Sequence, residues 1–153
     1  MPMIERKARI VWQGDVQTGS GQLVVDSAAF PEQTMTFEAR TRGQAGHTSP
    51  EELIAAAHAT CYAMALSNTL KQDGGVAPDR LEVTAVCALD RVEGKLKITT
   101  MDLRVTGKVA GVDQARFGEL ARIAEERCPV SNALRGNVDI RVNARLSEGR
   151  EAA

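Results

Sequence analysis

Between residue 49 and about residue 72 the chain reads SPEELIAAAHATCYAMALSNTLKQ, with no charge from Leu53 to Leu70. Ser49 is placed to cap a helix, Pro50 suits the first helical position, and Glu52 stands where a capping-box acid belongs. Leu53, Ile54, Ala55, Ala56, Ala57, Ala59, Ala63, Met64, Ala65, Leu66 and Leu70 cover most of the helix circumference. That pattern predicts a helix buried on most sides, its alanines letting neighbouring elements come close. Interruption by Glu, His, Ser and Asn makes it a poor membrane span.

Upstream, weak alternation over residues 5–12 (ERKARIVW) predicts a first strand and GDVQTGSG a turn. Residues 22–27 predict a second strand and residues 34–42 a third, with Met35, Phe37 and Ala39 on one face. Residues 43–48 form a loop into the helix. Downstream, Leu81, Val83, Ala85, Cys87 and Leu89 alternate with polar neighbours as one strand, and a turn over residues 92–94 leads to a long strand over 95–109. Leu96 and Ile98 share one phase of it, while Met101, Leu103 and Val105 share the other. A bulge is therefore expected near Thr99 and Thr100.

Asp113 is placed to cap a helix whose Phe117, Leu120, Ala121 and Ala124 form an apolar stripe. Cys128 followed by Pro129 breaks that helix, and residues 129–135 predict a short one ended by Gly136. Residues 138–146 alternate as a last strand, and the charged tail after about residue 147 is expected to fray. The order β-β-β-α-β-β-α-α-β predicts an α+β fold, antiparallel sheets wrapped around a central buried helix, in a single domain over residues 1–153.

Composition narrows the partners. Nineteen basic residues against 20 acidic ones leave a net charge of −1, and aromatics make up 3%, so neither nucleic acid nor a base-stacking platform is expected. Residues 1–9 carry charge with no apolar stretch after them, which makes a cytoplasmic location the default. Three cysteines are an odd number for a disulfide framework, and with two histidines and no CxxC or HxxxH a metal site is not expected. A reactive thiol remains open.

Cys61 and Cys128 lie 67 positions apart, so only tertiary structure could bring them together. Cys128, before a proline, is placed to cap the short helix and to gain from its dipole and free N–H groups. Cys61 sits about 16 Å into its helix, where an apolar interior raises a thiol's pKa unless a cation is supplied. The plainer alternative is that all three cysteines are small buried hydrophobes, which fits Cys87 best because it shares the phase of Val83, Ala85 and Leu89.

The runs SPEELIAAAHATCYAMALS, CPVSNAL, VWQGDVQTGSG and TFEAR together resemble the OsmC/Ohr family of thiol-dependent peroxidases, and most of all its OsmC branch, named for osmotically inducible protein C. The likeness spans the chain from about Ala8 to Leu146. It implies an intertwined homodimer with active sites at the subunit interface, and reduction of organic hydroperoxides in oxidative or osmotic stress defence. It further implies a peroxidatic Cys61, a resolving Cys128 that closes a disulfide with it, and a site carboxylate at Glu51. The site arginine falls at Arg40, in the F-x-x-R strand motif of Phe37 to Arg40. The loop GQAGHTSP is one residue longer than the family's, which makes Arg42 a rival. No cofactor is implied, and the electrons come from a dithiol reductant such as a lipoylated protein.

Chemistry agrees with these roles. A guanidinium beside Cys61 favours the thiolate and can bond peroxide oxygens, and a carboxylate behind it fixes its rotamer. Along a straight helix Glu51 and Cys61 stand roughly 15 Å apart, so either the helix bends sharply or Glu51 serves the cysteine of a partner subunit, and the second reading is preferred. His58, one turn before Cys61, could be a general base, but a lone histidine in an alanine-rich helix more often finds one hydrogen bond in the core. His47 carries no sharper reading, and Ser131 reads as a capping residue. Leu53, Ile54, Met64 and Phe117 read as core, with some available to line an apolar pocket. The competing reading is a thiol redox sensor or binding module using the same cysteine pair without turnover.

Overall fold

The computed structural model describes residues 1–147; the tail expected to fray lies outside the described residues. Two compact units result, one from Met1 to Leu53 and one from Ile54 onward. In the first, strands β1 (Ala8–Gln13), β2 (Ser20–Val25) and β3 (Gln33–Met35) form an antiparallel sheet in that order. Asp15 pins the β1–β2 turn by accepting from the N–H groups of Gln17 (2.8 Å) and Thr18 (2.9 Å).

The strand expected over residues 34–42 is a correction: it stops at Met35, and α1 (Phe37–Arg42) follows as a helix. Thr36 is the cause. Its Oγ1 accepts from the Ala39 N–H at 3.1 Å as an N-cap, with Glu38 in the first turn and Arg40 and Arg42 in the last, where the helix dipole favours each sign. Gly43, at φ +69°, closes the helix by donating to the Ala39 carbonyl. The spacing Met35, Phe37, Ala39 suits a strand, but Met35 to Ala39 is also one helical turn, and the cap decides between them.

Helix α2 (Pro50–Asp73) begins as expected, with Ser49 Oγ accepting from the Glu52 N–H at 3.1 Å. The capping box is only half made, because the Glu52 carboxylate takes the Thr48 hydroxyl (2.8 Å) instead. The helix is not buried on most sides within one chain. His58, Tyr62, Leu66, Thr69 and Leu70 are fully buried, whereas Met64 is 69% exposed.

The second unit holds β4 (Arg80–Val92), β5 (Lys95–Lys108), α3 (Gln114–Arg127), α4 (Pro129–Leu134) and β6 (Asp139–Leu146). Glu93 and Gly94, both at positive φ, turn β4 into an antiparallel β5. Ala88 pairs with Thr100 and Leu89 with Ile98, so Thr99 is the extra residue of the bulge the phase change predicts. Strand β6 departs from the antiparallel expectation and runs parallel to β5. Helices α3 and α4 supply the crossover that a parallel pair requires. Asp113 caps α3, and Phe117, Leu120, Ala121 and Ala124 are all buried.

Those four side chains close one core with Tyr62, Leu66 and Leu70 of α2 and Met101, Leu103 and Val105 of β5. Gly107 lets Phe117 lie on the sheet: a Cβ there would stand 2.5 Å from the ring's Cζ. Gly107→Ala should therefore cost about 1–3 kcal/mol, by overpacking a core with no slack. Urea unfolding monitored by circular dichroism measures it, and an unchanged midpoint would show that the ring moves aside freely. Among the described residues no helix is long and apolar enough to cross a membrane.

Candidate active site

In the first unit, Arg40 on α1 and Glu51 in the first turn of α2 form a close ion pair. Nε donates to Oε1 (3.0 Å) and Oε2 (3.2 Å), and Nη2 donates to Oε1 at 2.6 Å. The Glu51 side chain is 8% exposed and that of Arg40 31%, so the carboxylate is buried behind a guanidinium that still reaches solvent. Breaking such a pair from one side is costly, because the remaining charge loses its partner. Nη1 and its two donors take no part in the pair. Arg42 lies on the exposed side of α1 and meets Glu38 at 3.4 Å. Placing Arg40 on a helix, rather than on the expected strand, sends Arg40 and Arg42 to different partners.

In the second unit, Cys61 of α2 and Cys128 at the α3–α4 junction come together. Cys61 packs against the core cluster that holds Cys128, and the two thiols are close enough to influence each other's ionisation. Cys128 is fully buried and Cys61 half-buried. Burial is the main influence on the Cys61 thiol and pushes its pKa up; the Val130 N–H opposes it, while the Cys128 thiol adds to it. No cation is among the groups that shift it.

Cys128 stands at the N-cap of α4 as expected, but the benefit expected of that position goes elsewhere. The Cys128 side chain makes no capping hydrogen bond to α4, although the residue occupies the N-cap position. The orphan N–H that a helix start offers is that of Val130, and it serves Cys61. No local signal carries this, because α4 meets α2 only through the tertiary fold.

His58 and Ser131 share the same neighbourhood. Both are fully buried, and His58 Nε2 stands 2.7 Å from Ser131 Oγ. Burial lowers the His58 pKa, with Glu125 acting in the other direction. Ser131, read from sequence as a cap, is a buried partner for the histidine. Glu125, which the sequence does not single out, takes Arg135 Nη2 at 2.5 Å and offers its carbonyl to the Cys128 N–H. Tyr62 Oη donates to the Ala121 carbonyl at 2.8 Å, fastening α2 to α3. Phe117 belongs to the core alone, Met64 is exposed, and His47 stays in its loop with Nδ1 3.4 Å from the Ala45 carbonyl. Among the described residues no cluster of His, Cys, Asp and Glu is arranged to hold a metal ion.

Comparison with known proteins gives concordant matches. The family model described as OsmC-like protein matches residues 43–143. The chain is 36% identical over 137 residues to peroxiredoxin OsmC of Escherichia coli (strain K12), covering 90% of this chain and 94% of that protein. The crystal structure of the organic hydroperoxide resistance protein OhrB of Bacillus subtilis superposes with a TM-score of 0.70 at 29% identity, over 91% of this chain and 98% of that one. An organic hydroperoxide resistance protein OsmC from Legionella pneumophila shares the fold with a TM-score of 0.74 at 23% identity, over 94% of this chain and 98% of its own.

Proposed function

The chain belongs to the OsmC family and is a peroxidase-type oxidoreductase, and from that premise we propose that it reduces organic hydroperoxides to alcohols, with Cys61 as peroxidatic and Cys128 as resolving thiol. The meeting of these two thiols in one packed region, from positions so far apart in the chain, is the observation that carries the reading. The Cys61 thiolate attacks one peroxide oxygen. The S–O bond forms as the O–O bond breaks, sulfur gives up two electrons, and the leaving alkoxide takes a proton to become the alcohol. The Cys128 thiolate then attacks the sulfenic sulfur, forming the disulfide and expelling hydroxide, which is protonated to water. A dithiol reductant, of the lipoylated-protein class, returns both thiols by exchange and becomes a disulfide itself.

A thiol pushed up by burial needs a cation to ionise, and the guanidinium of Arg40, fixed by Glu51, is proposed to supply it. Ten helical positions, a rise of about 15 Å, lie between Glu51 and Cys61. This spacing supports a two-fold dimer in which Arg40 and Glu51 of one chain complete the site of the other. Ile10, Val11 and Trp12 on β1 and Met64 on α2 are exposed apolar side chains of the kind such an interface covers. The family match crosses the boundary between the two units, as does α2, which supports reading residues 1–153 as one functional domain. The role proposed is oxidative stress defence in the cytoplasm.

Cumene hydroperoxide supplied with dithiothreitol or dihydrolipoamide should be consumed through many turnovers. Consumption that stops after about one equivalent per chain would instead make the protein a redox sensor that oxidises once and waits for a partner.

A further inference from the structure

The hydrogen bond between His58 and Ser131 repeats, one helical turn away, the meeting of the two cysteines. His58 precedes Cys61 by three positions on α2, and Ser131 follows Cys128 by three on the α4 side. The bond therefore joins the same two segments that the disulfide would join. We propose that His58 and Ser131 are positioning residues: their bond clamps α4 on α2 so that Cys128 stays in attacking distance of the Cys61 sulfenic acid. The proposal rests on the peroxidase reading above and adds to it a control over what becomes of the oxidised cysteine.

Three observations support a clamp over a general base. Both side chains are fully buried, out of reach of a hydroperoxide arriving from solvent. Among the described residues the imidazole's other nitrogen, Nδ1, has no hydrogen-bond partner, so the Ser131 bond is the one that orients the ring. And α4 is six residues long, too short to hold its shape without tethers. Its far end is tied to α3 by Arg135, which bonds both the Glu125 carboxylate and the Glu125 carbonyl (3.2 Å). The rest of α4 is tied to α2 by the Ser131 side chain and by the N–H of the adjacent Val130, which serves Cys61, so loosening the first tether loosens the second.

The sulfenic acid has two fates. Cys128 closes the disulfide with loss of water, or a second hydroperoxide adds an oxygen, giving a sulfinic acid and a second alcohol. A loosened α4 lowers the effective concentration of the resolving thiol and favours the second fate. Ser131→Ala removes a single oxygen and is the least disruptive test. The full chain, reduced and then treated with a series of cumene hydroperoxide concentrations, is analysed by mass spectrometry for Cys61 sulfinic acid against the disulfide. The ratio should rise about tenfold in Ser131→Ala, as loss of one buried hydrogen bond implies. His58→Gln combined with Ser131→Ala should be no worse than Ser131→Ala, because one bond is lost in each case.

A ratio unchanged in Ser131→Ala while the parent turns over normally overturns the clamp and leaves the peroxidase reading standing. Additive effects in the double variant overturn it as well, since they would mean two independent packing losses. A parent protein that forms no Cys61 sulfenic acid at all removes both.

Discussion

Cys61→Ser should abolish hydroperoxide consumption, with the rate falling by at least about a thousandfold, as expected when the nucleophile that attacks the peroxide in a covalent mechanism is removed. A serine hydroxyl at the same place is not ionised at neutral pH and cannot take the oxygen. Cys128→Ser should behave differently. It keeps the first reaction, consumes about one equivalent quickly, and then accumulates Cys61 sulfinic acid because nothing closes the disulfide. Stopped-flow consumption of cumene hydroperoxide separates the two variants, and intact-mass spectra identify the products. A Cys61→Ser protein that turned over at the parent rate would remove Cys61 from the mechanism.

The second large effect is at Arg40. Arg40→Ala should slow oxidation of Cys61 by about 10²- to 10³-fold, since the guanidinium both favours the thiolate and bonds the peroxide oxygens as charge develops. Glu51→Ala should follow it in direction, because the freed guanidinium loses the bidentate contact that fixes its rotamer. Arg42→Ala should stay within about twofold of the parent, as an exposed i,i+4 pair contributes little. If the site is shared between subunits, two inactive proteins should restore each other. Cys61→Ser and Arg40→Ala chains, unfolded together in equal amounts and refolded, give mixed dimers in half the population. Each mixed dimer has one intact site, so about a quarter of the parent activity should return. No recovery in mixed dimers of verified composition would place Arg40 and Cys61 in the same chain's site.

These effects rest on unequal amounts of sequence information. The Phe117, Leu120, Ala121, Ala124 stripe and its Asp113 cap could be read directly, because a helix's buried face and its first unpaid N–H groups are both local properties. The bulge at Thr99 was equally legible, since a period-two pattern that changes phase needs one extra residue. The helix α1 was not: Met35, Phe37 and Ala39 satisfy both periods, and only the Thr36 cap separates them. The direction of β6 was not legible either, because alternation records which face is buried and says nothing of which way the strand runs.

At the candidate site the division is the same. Residue types left two thiols as candidates for the chemistry, and the resemblance to the OsmC/Ohr family, rather than spacing, singled out an arginine and an acid at a helix start. What surrounds each of them was decided in three dimensions. The Arg40 guanidinium meets Glu51 because Thr36 makes a helix of its segment, and the free N–H at the start of α4 serves Cys61 rather than the cysteine beside it in sequence. Helix and strand periods are fixed by the backbone and can be read from one stretch of chain. A contact across 67 positions depends on how whole elements pack, and no short stretch contains it.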